Sequence, residues 1–255
     1  MNTDKYPILE FDPTRKAVIE PREHIKVVPV APHCIMCFFA EVVAGVLKEQ
    51  EHRVVFKSNW ESGPVYVYEM DYNGSSIAFV QAQVGAPSCA AQLEELIAIG
   101  CSKFIVCGGA GVLRPDISVG KMIIPTSAIR DEGTSYHYLP ADREIESSPE
   151  AIAAIEKAFK DRRIEYIKGK TWTTDGVYRE TPEKIKRRRE EGALTVEMEA
   201  AALFAVARFR NVLLGQILYG GDDVSGEVWD ERRWNSRKSI RENLFWLSVE
   251  ACLKM

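Results

Sequence analysis

Between Gly85 and Gly111 a helical pattern bracketed by glycines is followed at once by a wholly apolar strand. In VGAPSCAAQLEELIAIG, Ser88 is placed to cap a helix, Leu93, Leu96 and Ile97 supply its buried face, and Gly100 ends it. The strand Lys103–Cys107 (KFIVC) then runs into Gly108-Gly109-Ala110-Gly111. A strand apolar on both faces belongs in the middle of a sheet covered by helices on both sides. The same alternation recurs along the chain. Lys26–Val30, Val65–Glu69 and Ile77–Ala82 read as strands, as do 119–124, 164–172 and 212–219. Helices are predicted at 149–160 (Ser148 as cap, Pro149 in the first turn), 182–191, 197–209 and 239–253. This rhythm gives an α/β fold with a mixed or mostly parallel sheet, whose ligands sit beyond the carboxyl ends of strands. Gly108–Gly111, Trp172–Tyr178 and Gly220–Asp223 fall at such ends.

With 46% of its 255 residues hydrophobic, the chain supplies the core of one large domain, 1–255, with residues 1–25 as an N-terminal extension. A net charge of −4 favours neither nucleic acid nor an anionic membrane as partner. The polar, acidic start lacks a secretory pattern, and the apolar runs are too short to span a bilayer, so a soluble, cytoplasmic protein is expected. His33-Cys34-x-x-Cys37 has no second ligand pair, and 34–47 reads as helix with the two thiols on one face, so no metal site is expected. The basic run 184–189 is flanked by Glu183, Glu190 and Glu191 and reads as a solvated helix face. The polar, aromatic stretch 126–147, with His137, reads as a loop walling a site.

Two places carry chemistry. Glu197-Met198-Glu199 opens a helix that is apolar nearly all round. One acid there complements the helix dipole; a second carboxylate at the edge of a core needs a partner, which paired sugar hydroxyls would provide. Gly220-Gly221-Asp222-Asp223 follows a buried strand, where an acid is placed for proton transfer, although Gly and Asp also suit a plain turn. The glycines at 108–111 do not form a dinucleotide or P-loop motif and would let a ligand approach the backbone.

Together these pieces resemble the nucleoside phosphorylase and nucleosidase family, from about Lys26 to the C-terminus. VEMEAA at 196–201 is the most specific stretch. VGAPSCAAQLEELIAIGCSKFIVCGGAG, VGKMIIPTSAIRDEGTSYHY, TTDGVY at 173–178 and GGDD at 220–223 follow in the family's order. The resemblance implies a three-layer α/β/α fold around a twisted, partly closed mixed sheet. It also implies a small-molecule nucleoside as partner, a homo-oligomer (dimer, trimer of dimers or hexamer), and no metal or organic cofactor. By position, Glu199 would hold the ribose 2′ and 3′ hydroxyls with Met198 packed on the sugar and Glu197 beside it. Val177 and Tyr178 would lie near the base, Gly109 against the substrate, and Asp222 would protonate a departing base, a purine by that aspartate.

The departures concern phosphate. The family's Gly-Asp-Pro-x-Arg corresponds here to Pro29–Cys34, so its glycine and arginine are replaced at Val30 and Cys34, and its second phosphate arginine by Val106. Arg53, Arg114 and His33 are the substitutes the sequence offers. Three readings follow: phosphorolysis with inorganic phosphate as co-substrate; hydrolysis, for which VAPHCIMC at 30–37 offers no acid to activate water; and ligand binding without catalysis, which would not need an acid at Asp222.

Overall fold

The strand that is apolar on both faces does lie at the centre of the sheet. The computed structural model describes residues 6–255, so residues 1–5 of the N-terminal extension lie outside the described residues. The strands are β1 (His33–Cys37), β2 (His52–Trp60), β3 (Gly63–Tyr72), β4 (Ser75–Gln81), β5 (Lys103–Val112), β6 (Met122–Asp131), β7 (Glu144–Glu146), β8 (Tyr166–Thr174), β9 (Ala193–Glu197) and β10 (Leu213–Asp223). The helices are α1 (Pro21–His24), α2 (Ala40–Glu49), α3 (Ala86–Ile99), α4 (Pro149–Asp161), α5 (Pro182–Glu190), α6 (Ala200–Arg210) and α7 (Lys238–Cys252). The sheet runs β10-β6-β8-β9-β5-β1-β4-β3-β2, and β10 also pairs with β5. Those five strands from β10 to β5 thus close on themselves, while β1, β4, β3 and β2 extend as an open wing. Pairing is mixed: β10 is parallel to β5 and antiparallel to β6.

Helices cover both faces. On one side α3 and α6 pack with Cys34, Met36, Phe104 and Val106; on the other α2, α4 and α7 pack with Ile35, Cys37, Ile105 and Cys107. Burying α3's Leu93, Leu96 and Ile97 contributes roughly 2 kcal/mol each. Ser148 caps α4 as predicted, accepting from the Ala151 amide. Among the described residues no helix is long and apolar enough to cross a membrane.

Several local expectations change. Lys26–Val30 is not a strand: Pro29 has no amide to donate, Val27 is exposed, and the segment touches α3's end through Val28 N–H to Ile99 O. The first strand is instead His33–Cys37, where a helix was expected. Alternation along β1 sends Cys34 and Cys37 to opposite faces of the sheet, so the two thiols cannot act as a pair. Edge strand β2 escaped notice because it is half-exposed and largely polar. Helix α3 starts at Ala86, with Gly85 as its N-cap at φ +93° and Pro87 in its first turn, leaving Ser88 inside the helix. The stretch 126–147 is mostly ordered as the end of β6, a short 3-10 turn and β7. Arg188 of the basic run is buried over Trp172 and bonded to Asp131 and Glu191 rather than solvated.

Candidate active site

At the carboxyl ends of β1, β5 and β10 lies a cavity of about 280 Å³, bordered also by the β9–α6 junction. Its lining includes Gly109, Val177, Glu197, Met198, Glu199 and Asp222, which come from four separate segments of the sequence.

The two glutamates of VEMEAA play different parts because the helix begins later than its apolar pattern suggests. Glu197 ends β9, and α6 starts at Ala200. The Glu197 carboxylate accepts the amides of Glu199 (2.8 Å) and Ala200 (2.7 Å) and the Thr173 hydroxyl (2.6 Å), so it caps α6 from the preceding strand. Glu199 is left facing the cavity, accepting one bond from the Gly85 amide at 2.6 Å. Burial first, and then the nearby Glu197 charge, push its carboxyl up to about 8. A buried carboxyl reached within the protein by backbone amides alone is a ready acceptor for hydroxyls from a ligand.

Asp222 sits near the end of β10, which continues through Gly220 and Gly221 instead of turning after Tyr219. Its carboxylate accepts from the Trp229 indole N–H at 2.7 Å. Glu180, between the 3-10 turn Val177–Arg179 and α5, also lines the cavity. Burial and the Asp222 charge push Glu180 up to about 7, so Glu180 keeps its proton to near neutrality.

The glycines of β5 serve the protein as much as any ligand. A Cβ at Gly109 would meet the Tyr219 ring at 3.1 Å, and one at Gly111 would meet Val196 at 3.0 Å. They let neighbouring side chains cross the strand and close the cavity wall.

Other predicted site residues lie elsewhere. Tyr178 is 96% exposed and points away from the lining. Arg53, on edge strand β2, is bonded to Glu69 and the Pro29 carbonyl. Arg114 is paired with Asp116 at the surface. His33 stands at the amino end of β1, the far end from the cavity, where burial and Lys103 lower its pKa. None of these three lines the cavity. Nor does any residue of 126–147; Gly133, Thr134, His137 and Tyr138 face a separate crevice beneath the N-terminal extension.

The cavity also holds residues that sequence reasoning passed over. The segment reaching it after β1 is Phe38-Phe39, and the acid beyond them, Glu41, is ion-paired with Arg241 at 2.6 Å. Arg241, in the first turn of α7, is the one cation lining the cavity among the described residues. Its guanidinium stacks over Phe39 at 4.4 Å, and its buried Nε has no partner among the described residues. Gln216, in the middle of β10, lines the cavity floor. The signal for Gln216 was a lone amide inside an apolar strand; for Arg241 there was none beyond helical phase.

Comparison with known proteins agrees with this architecture. The family model described as the phosphorylase superfamily matches residues 32–244. The chain is 29% identical over 188 residues to a guanosine phosphorylase of Halorubrum lacusprofundi, covering 70% of this chain and 78% of that one. It is 32% identical over 153 residues to a uridine phosphorylase of Treponema pallidum, covering 56% and 59% respectively. The solved structure of a Vibrio fischeri uridine phosphorylase superposes with a TM-score of 0.74 at 23% identity, over 89% of this chain and 94% of that one. The partly closed mixed sheet between two helix layers is the fold of that enzyme, and the chain belongs to the phosphorylase superfamily, the nucleoside phosphorylase family its motifs resemble.

Proposed function

We propose that this protein is a nucleoside phosphorylase that moves the pentose of a purine nucleoside onto inorganic phosphate. The observation that carries the reading is the meeting of Met198, Glu199 and Asp222 in one cavity at strand ends. Glu199 accepts the 2′ and 3′ hydroxyls, and Met198 packs on the sugar. As the C1′–N bond breaks, its electron pair leaves with the base and positive charge develops on the ribose. The proton that Glu180 keeps to near neutrality passes through the neighbouring Asp222 carboxylate to the base, so that the base departs neutral. A phosphate oxygen then bonds C1′, giving free base and ribose 1-phosphate.

Three observations favour phosphate over water. Arg241 brings to the cavity wall a guanidinium whose Nε has no partner among the described residues, a donor for an anion. Glu41, the acid following β1, is ion-paired to Arg241 and does not line the cavity, so it is poorly placed to activate water. The relatives named above are phosphorylases. Arg53, Arg114 and His33 are set aside as phosphate ligands from within the same chain. The reading needs no metal or organic cofactor, and it includes a cytoplasmic homo-oligomer.

The purine preference rests on Asp222 with protonatable Glu180 beside it, and on the guanosine phosphorylase among the relatives. Initial rates on inosine, guanosine, adenosine and uridine in phosphate buffer test it. Guanosine or inosine should be cleaved at least about tenfold faster than uridine, the discrimination that one or two base-edge hydrogen bonds supply. A faster rate on uridine would overturn the purine assignment.

A further inference from the structure

We infer that the Gln216 carboxamide holds the attacking phosphate on the side of the ribose opposite the departing base. This rests on the phosphorylase reading and deepens it by assigning a residue to the nucleophile. Gln216 is 1% exposed, yet neither its Nε2 nor its Oε1 has a hydrogen-bond partner among the described residues. Its strand neighbours on the same face, Leu214 and Leu218, are apolar, and so is Val106, its registered partner on β5. A carboxamide buried in such company is strongly disfavoured unless something else satisfies it, and Gln216 opens onto the cavity that holds Glu199 and Asp222.

Its position identifies the ligand group. Gln216 and Asp222 lie on one strand, six positions apart, with a bulge between Gly220 and Asp223. At about 3.3 Å per residue their Cα atoms are separated by roughly 17–20 Å. Allowing for the inward reach of both side chains, that is about the length of a nucleoside with phosphate on its far face. In displacement at C1′ the nucleophile enters opposite the leaving group, so with the base at Asp222 the phosphate belongs at the Gln216 end. The chemistry is complementary: Nε2–H donates to a phosphate oxygen, and Oε1 accepts the P–OH of monohydrogen phosphate. A neutral amide can do this without bringing a second cation beside the forming ribosyl cation.

The test is steady-state kinetics of Gln216→Leu with phosphate and nucleoside varied separately, alongside thermal unfolding. The leucine variant should raise the KM for inorganic phosphate at least about tenfold, the effect of losing hydrogen bonds to a charged group. The KM for the nucleoside should move less than about threefold. Its Tm should equal or exceed that of the wild type, because two unsatisfied buried groups are removed, so lost activity would not be lost folding. Gln216→Asn should fall between the two in phosphate KM. An unchanged phosphate KM, with a wild-type rate that depends on phosphate, overturns this assignment alone, as does a rise confined to the nucleoside KM. A wild-type rate indifferent to phosphate overturns both the assignment and the reading beneath it.

Discussion

Replacing Asp222 with Asn should lower kcat by about 10²–10⁴-fold while leaving nucleoside affinity within a few-fold. Asn fits the same space and can keep the Trp229 bond by presenting its carbonyl oxygen, so the cavity is undisturbed. What it cannot do is pass a proton to the base. The loss should therefore appear in kcat, be smallest for nucleosides whose bases leave readily without protonation, and be absent from equilibrium binding. The wild type should also lose kcat as pH rises through about 7, where Glu180 gives up the proton it keeps through burial and the Asp222 charge. Below that pH the proton is present and this limb of the profile is flat. Rate and binding measured together on Asp222→Asn check this; a variant with nearly full turnover would remove Asp222 from the chemistry.

Glu199→Gln should have two large and opposite effects. Cleavage of ribosides should fall by about 10²–10³-fold in kcat/KM, since an amide offers one acceptor oxygen and, unlike Glu199, cannot release a proton and become a charged acceptor of two bonds when sugar hydroxyls donate to it. Binding of free bases should scarcely change. The ligand-free protein, by contrast, should become more stable at high pH. An unfolded Glu199 releases its proton near the ordinary carboxyl value of 4.5, whereas the folded group keeps it to about 8. Between those values the folded state binds more protons than the unfolded state, so the wild type loses stability as pH rises. Glutamine does not titrate and still accepts the Gly85 amide. Its advantage should be nil near pH 4.5 and grow to an order of a few kcal/mol by pH 8. Thermal unfolding at pH 5 and pH 8.5 measures it. Equal Tm differences at both pH values, or equal losses for ribosides and free bases, would sink the assignment.

These two carboxylates were legible in the sequence because their neighbours are unusual for their surroundings. Two acids beside AAALFAVA and an Asp after GQILY contradict their local context, and such conflicts mark sites. The sheet core was legible for the converse reason, since KFIVC, its glycine-bounded helix and the Ser148-Pro149 helix start each agree with a single local structure. The first strand was not. CIMCFFAEVV is apolar throughout, and an unbroken apolar run has no period to separate strand from helix. Misplacing β1 in turn placed the family's phosphate segment at Pro29–Cys34, whereas the residues reaching the cavity are Phe38 and Phe39. Arg241 was hidden because a basic residue in the polar opening of a helix normally faces water; only packing over Phe39 and pairing with Glu41 turn it inward. Tyr178 shows the opposite error, a residue adjacent in sequence to the site that projects into solvent.

Phosphorolysis is tested most directly by ³¹P NMR on purified protein given guanosine or inosine with inorganic phosphate, while free base is followed with and without phosphate. Ribose 1-phosphate should appear in step with the base, and base release should stop when phosphate is withdrawn. Free base accompanied by plain ribose, at a rate the same in both buffers, would show that water is the nucleophile and that the protein is not a phosphorylase.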